Sequence, residues 1–422
     1  MRPVAHGARA VHSPMPIWFR HATLPNGLTV IAEVDPDAHT AAAGFFVRTG
    51  SRDETPDLMG VSHFLEHMMF KGTDDLTSED INRGFDELGA RNNAYTSSEL
   101  TCFHAAAIPE KIEPAVDLLA RMMRPALRPA DFDMEKGVIL EEIAMYEDNP
   151  FSVLYEAAME KHYGSHPLGH RVIGTRKTVS ALTPERMRDY FVRRYSADNT
   201  VLALAGRLDF DRVVALASAR CGDWNVARPH RDLSPPTPRG GSFEKRDPDV
   251  TRGYLLALAP APAIGDDRYY PAAMLTQILG APDNSRLHWA LVETGIAEEA
   301  QAGLDAHESV GEYFLFAAGA SARLDEIWSI AQRELGAVLA SMTDDDLERL
   351  RNRVATGATL AGEQPAGRMD RLGRIWTALR CYRPLDEDLR RINRVTRDEI
   401  REVWEAFPLR PVTVARLVGG PA

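Results

Sequence analysis

Residues 62–73, SHFLEHMMFKGT, place two imidazoles and a carboxylate within five positions: His63, Glu66 and His67. Apolar residues surround them. On a helix, positions i and i+4 share a face, so His63 and His67 point the same way and can reach one divalent metal. Glu66 falls at the edge of that face, where it can take a proton from a water without binding metal itself. Two imidazoles, a water and a carboxylate base are what zinc-assisted hydrolysis needs. The order H-x-x-E-H is the inverted form of the H-E-x-x-H motif. The bland alternative is a helix whose two histidines satisfy local hydrogen bonds.

A hydrolytic zinc takes three protein ligands and keeps one position open. The stretch 131–147 reads as a helix that can offer the third. Glu135 and Glu142 are seven apart and share a face with Ile139 and Tyr146. A carboxylate on such a face is costly to bury unless it meets a cation. Glu141 is turned roughly 100° away and is the weaker candidate. Taken alone, the pair also fits a partly solvated helix edge.

Other elements must bring these helices together. Asn26-Gly27 marks a hairpin turn, followed by the β-branched run Thr29, Val30, Ile31. A second strand covers Ala41 to Val47, and the motif follows on a helix of about 61–70. Thr77-Ser-Glu-Asp80 resembles a capping box. It opens a helix whose face carries Ile81, Phe85 and Leu88, and Gly89 ends it. Residues 90–107 read as a strand pair around a polar turn; in isolation Asn92-Asn93 fits a plain hairpin turn equally well. Helices are expected over 110–124, 131–147 and 184–195, with a strand at 199–208.

The chain has 422 residues, which sets a prior of two or so domains. Residues 226–243 hold four prolines and a Gly-Gly and read as the linker region. The expected division is a metal-bearing domain at 16–228, a linker at 229–243 and a second domain at 244–422. The halves look like a tandem duplication. Leu182 to Phe191 aligns with Val395 to Trp404 at an offset of 213, and each is followed by a strand. Asp131-Phe132 aligns with Asp346-Leu347 at an offset of 215.

A net charge of −12 argues against nucleic acid as the main partner. Cys102, Cys221 and Cys381 form no CxxC pair, so neither a disulfide framework nor a cysteine zinc site is expected. No run has signal-peptide or membrane-span length, so a cytoplasmic chain with no membrane partner is the expectation. The globular pattern begins just after Met15, which marks that residue as a possible start.

HFLEHMMFKGT, NAYTSSE at 93–99 and EKGVILEEI at 135–143 together resemble the pitrilysin–insulysin family of inverted-motif zinc peptidases. The likeness is greatest to the branch of mitochondrial processing peptidase and its bacterial relatives. LPNGLTVI, FFVRTGSRDE, HPLGHRVIGT and LTQILGAPDNSRL extend it over nearly the whole chain. The resemblance implies an α+β fold of two related domains. Each would be a mostly antiparallel mixed sheet with helices on one face, the two forming one half of a clam-shell. It implies His63, His67 and Glu142 as ligands of one Zn2+ per chain, Glu66 as general base, and Glu135 as a second carboxylate supporting the site. Asn93 and Ala94 match the edge strand to which a peptide substrate adds.

One departure stands out. Self-sufficient family members carry an arginine and, seven residues on, a tyrosine in a pattern like LRxxxGLAY, which hold substrate and the oxyanion. The matching positions here are Leu291 and Glu298. Glu142 in turn corresponds to about Gly357, so the second half would be a scaffold. The resemblance then implies a heterodimer with a sister chain that keeps the arginine and tyrosine. The alternatives are a homodimer of altered activity and a non-catalytic assembly subunit, like the core proteins of the respiratory bc1 complex.

Overall fold

The computed structural model describes residues 17–237 and 239–420; the start expected near Met15 lies outside them. Among the described residues, eleven strands form two mixed, mostly antiparallel sheets. The first contains β1 (Trp18–Thr23), β2 (Thr29–Val34), β3 (Ala41–Val47), β4 (Arg91–Thr96), β5 (Thr101–Ala107) and β6 (Thr200–Gly206) in the order β1-β2-β6-β3-β5-β4. The second contains β7 (Gly241–Asp247), β8 (Gly253–Ala261), β9 (Glu299–Ala306), β10 (Gly311–Gly319) and β11 (Thr413–Gly419) in the order β7-β11-β8-β10-β9. Without β1, the two orders match strand for strand. Each holds one parallel pair in the same place, β2 with β6 and β7 with β11.

The Asn26-Gly27 turn closes a hairpin between β1 and β2. The strands 29–34 and 41–47 are not neighbours, because β6 lies between them. The expected helices form at Pro109–Met122, Pro129–Glu147 and Pro184–Arg194. A capping box at Thr77 opens the helix Ser78–Glu87. Residues 241–243, at the end of the expected linker, already belong to β7.

One face of the first sheet packs on these helices through Phe45, Phe64, Leu65, Phe103, Phe132 and Ile139, all fully buried. The opposite faces are covered by exchange between the halves. The helix Pro150–Tyr163 lays Leu154, Ala158 and Met159 on β8, β10 and β11 of the second sheet. The helix Pro365–Leu379 lays Met369 and Leu372 on β2, β3 and β6 of the first. Gly373 makes that second approach possible: a Cβ there would lie 2.2 Å from the Phe46 ring. Pro150 and Pro365 are 215 residues apart, the offset already seen between the halves, so the exchange is reciprocal.

A buried charge network joins the halves at the linker. Arg231, 6% exposed, donates to both Asp53 oxygens at 3.0 and 2.5 Å and to Glu308 at 3.0 Å. Arg48 also pairs with Glu308, and Arg194 with Asp53. Arg52 pairs with Glu99 at 2.6 Å and bonds the Asp232 carbonyl and Ser309. These contacts tie the loops after β3 and β4 to the linker and to the β9–β10 turn.

Candidate metal centre

The motif helix, Val61–Met69, starts at Gly60, whose φ of +94° suits glycine. Glu54 receives its first free N–H groups: Oε2 accepts from Gly60 at 2.8 Å and Oε1 from Ser62 at 2.7 Å. Burial pushes the Glu54 carboxyl up to about 8, against the pull of those bonds. Phe64, Leu65, Met68 and Met69 face the core, and Phe64 stacks on Phe132 of the helix Pro129–Glu147 at 4.6 Å. That contact sets the two helices side by side and turns the polar edge of each toward the same point.

At that point His63 Nε2 lies 3.9 Å from Glu142 Oε1, and His67 Nε2 lies 3.6 Å from Glu142 Oε2. Ligand atoms of these three residues all fall within 4.8 Å of one another, a cluster that among the described residues is matched nowhere else. Zinc bonds of about 2.0–2.1 Å put tetrahedral donors about 3.4 Å apart. The N, N, O set therefore fits three corners of a zinc site, slightly open.

Glu135 sits behind His67 and does not reach the cluster. It is 3% exposed, its Oε1 lies 2.9 Å from His67 Nδ1, and Lys71 Nζ lies 2.5 Å from its Oε2. With Nδ1–H donated to Glu135, His67 presents the Nε2 lone pair to the cluster. Burial, reinforced by neighbouring His67, lowers His63 to about 4, so its imidazole is neutral and able to ligate. Burial pulls His67 down too, but the Glu135 bond and the charges of Glu142 and Glu66 outweigh it and leave His67 raised. A metal entering the cluster would compete with that proton. Burial holds Glu66 above the usual carboxylate range, partly offset by a 2.6 Å bond from the Thr96 hydroxyl.

Glutamine in place of Glu135 is expected to weaken zinc affinity roughly 10- to 100-fold, since it replaces a carboxylate behind a ligating imidazole. Competition with a chromogenic chelator measures this. An unchanged affinity would remove Glu135 from that supporting role.

His63, Glu66, His67 and Glu142 open into a cavity of about 830 Å3. Ala94, Tyr95 and Thr96 of β4 form one side, and Tyr146, Phe151, Tyr155 and Met159 another. The second half contributes Ile264, Asp305, Ala306, His307 and Arg374. β4 is an edge strand of its sheet, opposite β1. Its Ala94 N–H is bound by the Asn93 side chain at 2.9 Å. Strand alternation puts Ala94 on the cavity face and Asn93 on the other, where it is exposed.

Leu291 lies fully buried in the second core, within the π-helical turn His288–Val292. Glu298 is exposed and pairs with Arg252 at 2.9 Å. Neither supplies a donor. In the helix Asp344–Glu363, Gly357, which lies 215 residues after Glu142, is exposed and offers no side chain. Sequence reasoning passed over Lys71, although it lies one turn after His67, and Thr96, although period two from Ala94 marks it. Asp305 and His307 carry no local signal, because the chain fold alone brings them to the cavity.

A metal-type cluster on an H-x-x-E-H helix, with two repeated α+β halves, defines a class of zinc-peptidase-like proteins. The comparisons agree: residues 29–176 match the insulinase family, peptidase family M16, and residues 181–354 match the peptidase M16 inactive domain. This chain belongs to the insulinase (M16) family. An uncharacterized zinc protease of Mycobacterium leprae is 33% identical over 393 residues, covering 90% of this chain and 86% of the relative. The uncharacterized zinc protease YmxG of Bacillus subtilis is 28% identical over 385 residues, covering 90% and 94%. A putative M16-like peptidase from Alicyclobacillus acidocaldarius shares the fold, with a TM-score of 0.85 at 22% identity over 97% of this chain and 100% of that one. A chain of complex III2 from Candida albicans does so with a TM-score of 0.82 at 17% identity, covering 94% and 95%. Among the described residues no helix is long and apolar enough to cross a membrane.

Proposed function

We propose that this chain is the metal-bearing subunit of a zinc endopeptidase acting on peptides or unfolded segments. The observation that carries the reading is the His63–His67–Glu142 donor set beside Glu66, open to a cavity bordered by the free edge of β4. Bound to these three donors, zinc would polarise the scissile carbonyl and acidify the attacking water. Glu66 takes the proton of that water and returns it to the leaving amine. The peptide adds to β4 as a further strand near Ala94, which gives affinity through main-chain bonds and loose side-chain selection. Reaction in the cytoplasm fits three free cysteines.

The chamber is closed by a second half-shell. A sister chain that retains the arginine and tyrosine suits the missing donors at Leu291 and Glu298 better than a second copy does. The same two positions, with the likeness to a complex III chain, favour a second reading as an assembly subunit. Peptide cleavage by the purified chain, alone and mixed with a family member encoded beside it, separates these. A mixture far more active than the chain alone is expected. Equal activity of the chain by itself would sink the sister-chain assembly, and a chain that holds no zinc and cleaves nothing in either case would favour the assembly role.

A further inference from the structure

We infer that Thr96 is a positioning residue that fixes the rotamer of Glu66 and leaves one carboxylate oxygen free for proton transfer; this rests on the peptidase reading above. Thr96 Oγ1 donates to Glu66 Oε2 at 2.6 Å, and among the described residues this is the hydrogen bond that Glu66 receives. Among the described residues Glu66 Oε1 has no such bond, and both Glu66 and Thr96 line the cavity. A carboxylate with one anchored and one free oxygen is restricted in χ, so it loses less freedom when it takes up a proton at a defined place.

The hydroxyl is itself held firmly. Thr96 is the last residue of β4 and pairs with Thr101 of β5. The turn beyond it is closed by Ser97 N–H to Leu100 O at 2.8 Å. It is clamped to the segment after β3: Ser51 N–H donates to Ser97 O at 3.3 Å and Arg52 N–H to Ser98 O at 2.8 Å. Gly50 permits this closeness, since a Cβ there would lie 2.2 Å from Ser97 O. Arg52 then fixes Glu99. The hydroxyl thus stands at the end of a strand whose outer edge is the docking line for substrate. A peptide seated along β4 and the base that attacks on its behalf are referred to the same piece of backbone.

The test compares Thr96→Val, which keeps the shape and removes the hydroxyl, with Thr96→Ser, which keeps the hydroxyl. Thr96→Val is expected to lower kcat roughly 10- to 100-fold, a part of the full general-base contribution. KM and zinc content should stay within about twofold of the parent, and Thr96→Ser should recover most of kcat. A second readout needs no cleavage: in metal-free protein labelled with 13Cδ-glutamate, the Glu66 resonance, assigned by its loss in Glu66→Gln, should move in Thr96→Val and hold in Thr96→Ser. Thr96→Ala repeats both readouts if the valine variant does not fold. A stationary Glu66 resonance in the hydroxyl-free variant, a rise in KM in place of the fall in kcat, or a serine variant as damaged as valine would overturn the assignment. If the parent cleaves no peptide even when mixed with the sister chain, the peptidase reading fails, and the resonance still decides whether Thr96 holds Glu66.

Discussion

Replacing Glu66 with glutamine is expected to reduce kcat for peptide cleavage by roughly 10²- to 10⁴-fold while zinc binding is retained. Glutamine has the size of glutamate, and its carbonyl can still accept the Thr96 hydroxyl, so local packing survives. What is lost is the ability to hold a proton between attack and leaving-group departure. Glu66 is outside the His63–His67–Glu142 donor set, so the metal should bind with close to parental affinity. Cleavage rate and metal stoichiometry, measured on the same preparation, separate the two effects. Cleavage at the parental rate would remove Glu66 from the chemistry. Loss of zinc along with activity would instead make it part of the donor set. Loss of cleavage with zinc kept is the expected pair of results.

The second large effect is on stability. Arg231→Met is expected to destabilise the chain by about 3–5 kcal/mol, the usual consequence of removing one partner from a buried ion network. Its guanidinium meets Asp53, Glu308 and the Glu99 carbonyl, and its side chain is 2% exposed. Without it, Asp53 keeps Arg194 and Glu308 keeps Arg48, which argues for the lower end of that range. Arg231→Lys should restore little, since one ammonium cannot match a fork that bonds two carboxylates and a carbonyl together. Denaturant unfolding gives the magnitude. Limited proteolysis should show faster cutting near residues 229–240, where the segment loses its anchor. A shift under about 1 kcal/mol would mean the network is a solvated tolerance and not a joint.

Much of the candidate site was legible because its chemistry is local. His63, Glu66 and His67 lie within one helical turn and a half, so spacing alone puts them together. Glu142 was legible as a carboxylate on an otherwise apolar helix face, but its choice over Glu135 came from family likeness. The geometry gives the two separate positions, with Glu142 at the cluster and Glu135 behind His67. The repeat at 213 and 215 was legible too, and it reappears as the matched strand orders. Less could be read of the sheet itself. β6 enters between β2 and β3 from far along the chain, and nothing local to residues 29–47 signals that. Strand β1, WFRHAT, is a largely exposed edge with no clean alternation. The helix Pro150–Tyr163 shows no clean apolar stripe in sequence: Leu154 and Met159 are buried on the second sheet, while Phe151 packs edge-on against Phe316 of β10 and stays partly exposed.

The reciprocal covering of the two sheets by Pro150–Tyr163 and Pro365–Leu379 has a consequence for descent and for motion. Two identical single-sheet units, each lending its helix to the other, would form a twofold pair by strand-for-strand symmetry. In this chain the first half carries Glu142 at the metal-type cluster, and the matching position of the second half, 215 residues on, is Gly357. Because each half owns part of the other's core, the halves cannot swing apart without unfolding. A hinge that opens between the two halves of this one chain is therefore excluded.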